Sequence, residues 1–119
     1  MRAQDRLPLT PLSFQVLVAL ARQPRHGYGI IKAIEATTGE PMRSSTGTLY
    51  LAIERLEQEG LIAEKPSSHS RRRYYVLTPL GRAVAAAEAR RLATLLGVAA
   101  ESRLIGRAQL DDLLRSRTP

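Results

Sequence analysis

Apolar residues recur at helical spacing in three successive stretches, each bounded by residues that start or stop helices. Over residues 9–22, Phe14, Leu17 and Ala21 line up with Val16 and Leu20 as one wide apolar stripe. Thr10 is the expected N-cap, Pro11 the first helical residue, and Gln23-Pro24 the stop. Ile30, Ile31 and Ile34 predict a second helix over Gly27–Thr38, with Gly39 as its C-cap. Pro41 then breaks the chain. Leu49, Ile53 and Leu56, at i, i+4 and i+7, predict a third helix over Thr46–Gln58, capped by Ser45 and stopped by Gly60.

The period changes after Gly60. Residues 61–65 are short and β-compatible, 66–70 are turn-like, and Arg73-Tyr74-Tyr75-Val76-Leu77 has strand composition. Together they predict a β-hairpin with Arg71, Arg72 and Arg73 at its tip and with Tyr75 and Leu77 facing its base. Thr78 and Pro79 then start a further, alanine-rich helix. Gly97 is an expected break, and residues 98–116 are expected to be helical again, with Gly106 weakening that expectation by about 1 kcal/mol relative to alanine. The fold class is therefore mainly α with a small β-hairpin.

Charge changes the picture more than composition does. The 119 residues include 18 basic and 11 acidic ones, a formal net charge of +7. Residues 61–82 hold five basic residues against one acidic, Glu64, so the excess is concentrated around the hairpin. Such a cluster is the electrostatic footprint of a nucleic-acid binder. With no cysteine, disulfides, thiolate metal sites and thiol nucleophiles are excluded. Two histidines 43 positions apart make a poor metal site, and the serines lack a recognisable histidine–carboxylate pair. No enzyme activity, metal or cofactor is expected. No apolar run approaches the roughly 20 residues of a membrane span, and the first ten residues lack a signal-peptide core. A cytoplasmic protein without membrane contact is expected.

Three helices followed by a basic hairpin is the order of a winged helix-turn-helix domain. Four segments sharpen the likeness. His26-Gly27-Tyr28-Gly29-Ile30-Ile31, Ser45 to Leu51, Arg55 to Ile62, and Arg73 to Arg82 resemble, in order, motifs of the PadR family of transcriptional regulators. The chain departs from the family at Thr46 and Leu51, where members often carry proline. The resemblance implies a winged helix-turn-helix DNA-binding domain over residues 1–78 and a C-terminal helical dimerisation region over 79–119. It implies that the third helix enters the major groove by its N-terminal end. The expected contacts there come from Arg43, Ser44, Ser45, Thr46, Thr48, Tyr50, Leu51 and Arg55. Lys65 and the three tip arginines are expected on the DNA backbone or in the minor groove.

On the residues alone, each feature also has a structural reading. The third helix carries Glu54, Glu57 and Glu59 in its C-terminal half, which DNA repels. Tyr50 fits a core edge as well as a DNA-facing site. His26 fits either a cap for the second helix or a hydrogen bond within the core. Leu92, Leu95, Leu96, Leu104, Ile105 and Leu113 exceed what a three-helix core covers and would leave a large exposed patch. In the family this region pairs across a two-fold axis. The expectation is a homodimeric regulator, a repressor, on a palindromic double-stranded DNA operator. The alternative is a winged-helix module that binds protein instead; steep weakening by salt distinguishes the first from the second. A small-molecule effector is left open.

Overall fold

Side-chain caps start three of the helices where the sequence places them. The computed structural model describes residues 3–42, 45–66 and 72–116. Thr10 Oγ1 accepts from the Ser13 amide at 3.1 Å and opens α1 (Pro11–Arg22). α2 spans Gly27–Thr38 and ends at Gly39, whose φ of +74° is the left-handed geometry that glycine tolerates. Ser45 Oγ accepts from the Thr48 amide at 3.1 Å and opens α3 (Thr46–Gln58). Thr78 Oγ1 accepts from the Gly81 amide at 3.0 Å and opens α4 (Pro79–Glu101).

The apolar stripes converge as their spacing implies. Val16, Leu17 and Leu20 of α1, Ile30 and Ile34 of α2, and Leu49, Ile53 and Leu56 of α3 are buried together with Leu61, Ile62, Tyr75 and Val84. The expected faces of α1 to α3 are thus the core faces.

The sheet has one strand more than expected. β1 is Arg25–His26, β2 is Ile62–Lys65 and β3 is Tyr74–Leu77, in the antiparallel order β1-β3-β2. Arg25 pairs with Tyr75 and His26 with Tyr74. Two residues are too few to carry an alternation, so β1 leaves no periodic signal. The hairpin strands begin one residue later than expected. Leu61 instead closes the end of α3, its amide donating to Leu56 O and its carbonyl accepting from the Thr78 amide.

α4 sits close against that turn. A Cβ on Gly81 would overlap the Leu61 carbonyl and crowd Leu77 Cδ1, so the helix approaches the hairpin base at a distance only glycine allows. Thr78 Oγ1 also donates to Gly60 O at 2.7 Å. Further along, the buried Glu88 accepts from the Leu9 amide at 3.0 Å and holds the segment that precedes α1.

Packing divides the chain into two units, Met1–Glu88 and Ala89–Pro119. In the second, the expected break at Gly97 does not occur: α4 runs through it to Glu101. One glycine costs about 1 kcal/mol in a helix, less than the flanking turns supply. The break falls later. Arg103 adopts φ +63°, its amide and that of Leu104 bond back to Ala100 O and Ala99 O, and Gly106 precedes α5 (Arg107–Arg115). The continuous helix expected over 98–116 is therefore two pieces.

α2 is tied to the segment before α3 by Glu35, whose Oε2 accepts from the Met42 amide at 2.9 Å. That bond, aided by Lys32 at 3.5 Å, holds the Glu35 carboxyl below the usual carboxylate range. A carboxyl lowered in the folded state stabilises above its unfolded-state pKa, and the gain is lost as pH falls through the lowered folded-state pKa.

Gly81→Ala should destabilise by about 2 kcal/mol or more, because a backbone carbonyl must move, and Thr78→Ala by about 1 kcal/mol; denaturant melts measure both. The Glu35 carboxyl should titrate below the ordinary glutamate value of about 4.3, and the stability gap between wild type and Glu35→Gln should close as pH falls below it. A Glu35 titration at the ordinary value in carbon-detected NMR would contradict the Met42 tie.

Candidate nucleic-acid interface

The outer face of α3 is polar at its N-terminal end and exposed. Ser45, Thr46 and Thr48 face solvent, as do Tyr50, Leu51 and Arg55 further along. Ser45 and Thr48 hydroxyls lie 2.8 Å apart, so the cap also orients the Thr48 side chain. Leu51 is 68% exposed, an apolar group offered to solvent on the side away from the core. Arg43, Ser44 and Arg71 lie outside the described residues.

Tyr50 is packed on one side and exposed on the other. It is 45% exposed, and its hydroxyl end packs over Gly27, where a Cβ would collide with it. Helix α3 is thereby registered against the first turn of α2. Beside this contact lies a cleft of about 350 Å³, lined by His26, Gly27, Tyr28, Tyr50, Arg72, Arg73 and Tyr75.

His26 is the N-cap of α2: its Nδ1 accepts from the Gly29 amide at 3.0 Å. Of the two roles open to it in the sequence, the cap is realised. Its ring stacks on Tyr28 with centroids 6.4 Å apart and meets the edge of Tyr74 at 5.2 Å. Its Nε2 lies 3.0 Å from Arg72 Nη1. Residues 46 positions apart thus meet at the cleft. Neither His26 nor Tyr28 is in the expected contact set; the pairing of β1 with β3 that brings them there has no local signature.

The two described tip arginines differ in environment. Arg73 forms a bidentate pair with Glu64, Nε to Oε1 and Nη2 to Oε2, both at 3.0 Å, and lies 3.8 Å from Glu57. The Glu64 hydrogen bonds hold its pKa above the usual arginine value. Its guanidinium also sits 5.7 Å from the Tyr75 ring centroid. Burial pushes the Tyr75 phenol up, with Arg73 acting in the opposite sense. Arg73 therefore links β3 to β2 and to the end of α3, whereas the exposed Arg72 is directed to His26. Lys65, at the end of β2, is exposed.

The acids of α3 are partly offset. Glu57 faces Arg73, and Glu59 lies 3.6 Å from Arg6. Among the described residues, no group of three or more histidine, aspartate or glutamate side chains is placed to hold a metal ion, and no helix is long and apolar enough to cross a membrane.

Residues 16–87 match the model of the transcriptional regulator PadR-like family. A protein of 37.1 kDa in a transposon of Streptomyces fradiae, of uncharacterised role, is 42% identical over 87 residues, 73% of this chain. The chain spans about a quarter (24%) of that relative's length. A transcriptional regulator from Clostridium thermocellum superposes with a TM-score of 0.68 at 29% identity, covering 76% of this chain and 87% of the other. A PadR family transcription regulator from Clostridium difficile superposes at 0.66 and 23% identity, covering 77% and 97%, a likeness of fold. With helices, sheet and wing in the matching order, the chain belongs to the PadR-like family of transcriptional regulators.

Proposed function

We propose that this chain is a repressor that binds a palindromic operator as a homodimer and acts by occupying it. The observation that carries the reading is the exposed N-terminal half of α3 beside the arginines that precede the second strand of the wing. A helix end with small polar side chains fits the major groove, and wing guanidinium groups fit phosphate or a narrow minor groove.

The roles divide by chemistry. Thr48 and Tyr50 reach base edges and supply sequence discrimination. Ser45, Thr46, Leu51, Arg55 and the preceding Arg43 and Ser44 complete the groove contact. Lys65, Arg71 and Arg72 bind backbone, which adds affinity without sequence information. Arg73 joins them only by giving up part of its pairing with Glu64 and Glu57.

In this reading residues 1–78 bind DNA and residues 79–119 dimerise. Support for a dimer comes from the second unit, where Leu92, Leu95, Leu96, Leu104 and Leu113 are between 37% and 82% exposed and Ile105 is half-buried. An apolar burden of that kind is covered in a stable soluble protein. A two-fold axis would place two α3 helices about one DNA turn apart. Such a regulator works in the cytoplasm, where its operator is, and needs no catalytic group.

Light scattering at micromolar concentration should find about 26 kDa, twice the 13.1 kDa chain; a stable monomer would remove the palindromic operator as well. Selection of bound genomic fragments supplies an operator for titration. Thr48→Ala and Tyr50→Phe should each cost about 1–3 kcal/mol on it with little loss on random DNA. Arg72→Ala should weaken both DNAs nearly equally and lower the slope of log K against log salt by about 0.9 per contact. The reverse pattern would make the wing the reader.

A further inference from the structure

We propose that Gly27 determines sequence specificity as a positioning residue: by lacking a Cβ it fixes the Tyr50 phenol where that phenol reads bases, without itself contacting a base. The proposal rests on the reading of Tyr50 as a base contact above and adds to it a residue on another helix.

Glycine at this position needs a reason. It opens α2, and alanine is the better helix former. The backbone does not demand glycine there: among the described residues, the glycines in the left-handed region are Gly39 and Gly60. What the position lacks is room. A Cβ on Gly27 would overlap Tyr50 Oη and stand 2.7 Å from Cζ and 2.8 Å from Cε1.

A collision of this kind is resolved by whichever side moves at less cost. Gly27 is buried, and its backbone is held by its neighbours: His26 pairs with Tyr74 on β3, and the Gly29 amide donates to His26 Nδ1. Tyr50 is 45% exposed, meets Gly27 with the far end of its side chain, and has the cleft alongside to receive a displaced ring. The ring therefore moves and the backbone stays. Gly81 is the opposite case, because there the obstacle is the Leu61 carbonyl. The same missing Cβ governs stability at Gly81 and the aim of a side chain at Gly27. A hydrogen bond to a base edge depends steeply on distance and angle. A displaced phenol thus loses discrimination between bases, while contacts to the DNA backbone remain.

Gly27→Ala should lower the ratio of operator to random-duplex affinity about tenfold. It should leave the random-duplex affinity and the salt slope as in the wild type, because no cation is lost. In a Tyr50→Ala background the same substitution should cost no further discrimination, since the side chain it displaces is gone. Equal losses on both duplexes, no loss at all, or the full loss repeated in the Tyr50→Ala background would each overturn the proposal. So would a Gly27→Ala chain that no longer folds, because the backbone and not Tyr50 would then bear the collision.

A measurement on the wild type needs no variant. Nuclear Overhauser cross-peaks between the Gly27 α protons and the Tyr50 ring should be present in the free chain and persist on the operator. A ring that leaves Gly27 on binding would overturn the positioning role and leave the DNA-binding reading intact. Undiminished discrimination by Tyr50→Ala would instead overturn Tyr50 as a reader, and a wild-type chain that binds no duplex would overturn DNA binding itself; the role of Gly27 falls with either.

Discussion

Two residue pairs, Arg25 with Tyr75 and His26 with Tyr74, join the turn between α1 and α2 to the second strand of the wing. The rest of the candidate interface depends on that join. Arg25 Nε donates to Ala19 O at 2.9 Å, so the same short strand is also anchored to α1. With β1 held at both ends, the first turn of α2 lies against β3, and side chains from three distant segments line one cleft. Without the join the wing would be a two-stranded hairpin, and such hairpins are marginal in water by themselves.

The join also decides how the basic surplus is used. The charge excess lies in the segment that includes the wing, yet its arginines have different work. Arg73 spans Glu64 on the neighbouring strand and Glu57 on α3. Exposed pairs of this kind contribute little stability, but a planar fork on one carboxylate fixes direction. The consequence is electrostatic: carboxylates that would repel DNA are neutralised by a group that cannot lose its proton. Arg6 does the same for Glu59 from the segment before α1. The basic face is thus made partly by placing cations outward and partly by pairing acids at its margin.

What the sequence carried is local chemistry. Thr10, Ser45 and Thr78 cap helices because hydroxyls accept from amides three residues on, a rule that needs no tertiary knowledge, and the stripes from Val16 to Leu56 follow from helical geometry. What it did not carry depends on distant partners. β1 is two residues long and exists because β3 is beside it. Gly97 has the composition of a break, but the helix continues through it and ends near Arg103, whose left-handed backbone is unusual for a residue with a Cβ. Arg73 reads like its two neighbours in sequence and is set apart by Glu64 on the neighbouring strand and by Glu57, 16 positions away on α3. His26 was open between cap and core; the Gly29 amide decides it, and the second nitrogen gains a partner 46 positions on.

Gly27 and Tyr50 bring the two levels together. In the sequence, Gly27 is merely the start of a helix, a position where glycine has no special merit. In the fold it is the floor under the Tyr50 hydroxyl end, and any side chain there would push the tyrosine away. A tyrosine buried on one side and exposed on the other loses little freedom on binding, because packing has already restricted it. Thr48 is held in a similar way through the Ser45 hydroxyl. The two side chains proposed to read bases are therefore oriented by contacts within the protein. In the proposed complex, the small residue beside one and the cap beside the other shape the reading surface without needing to touch a base.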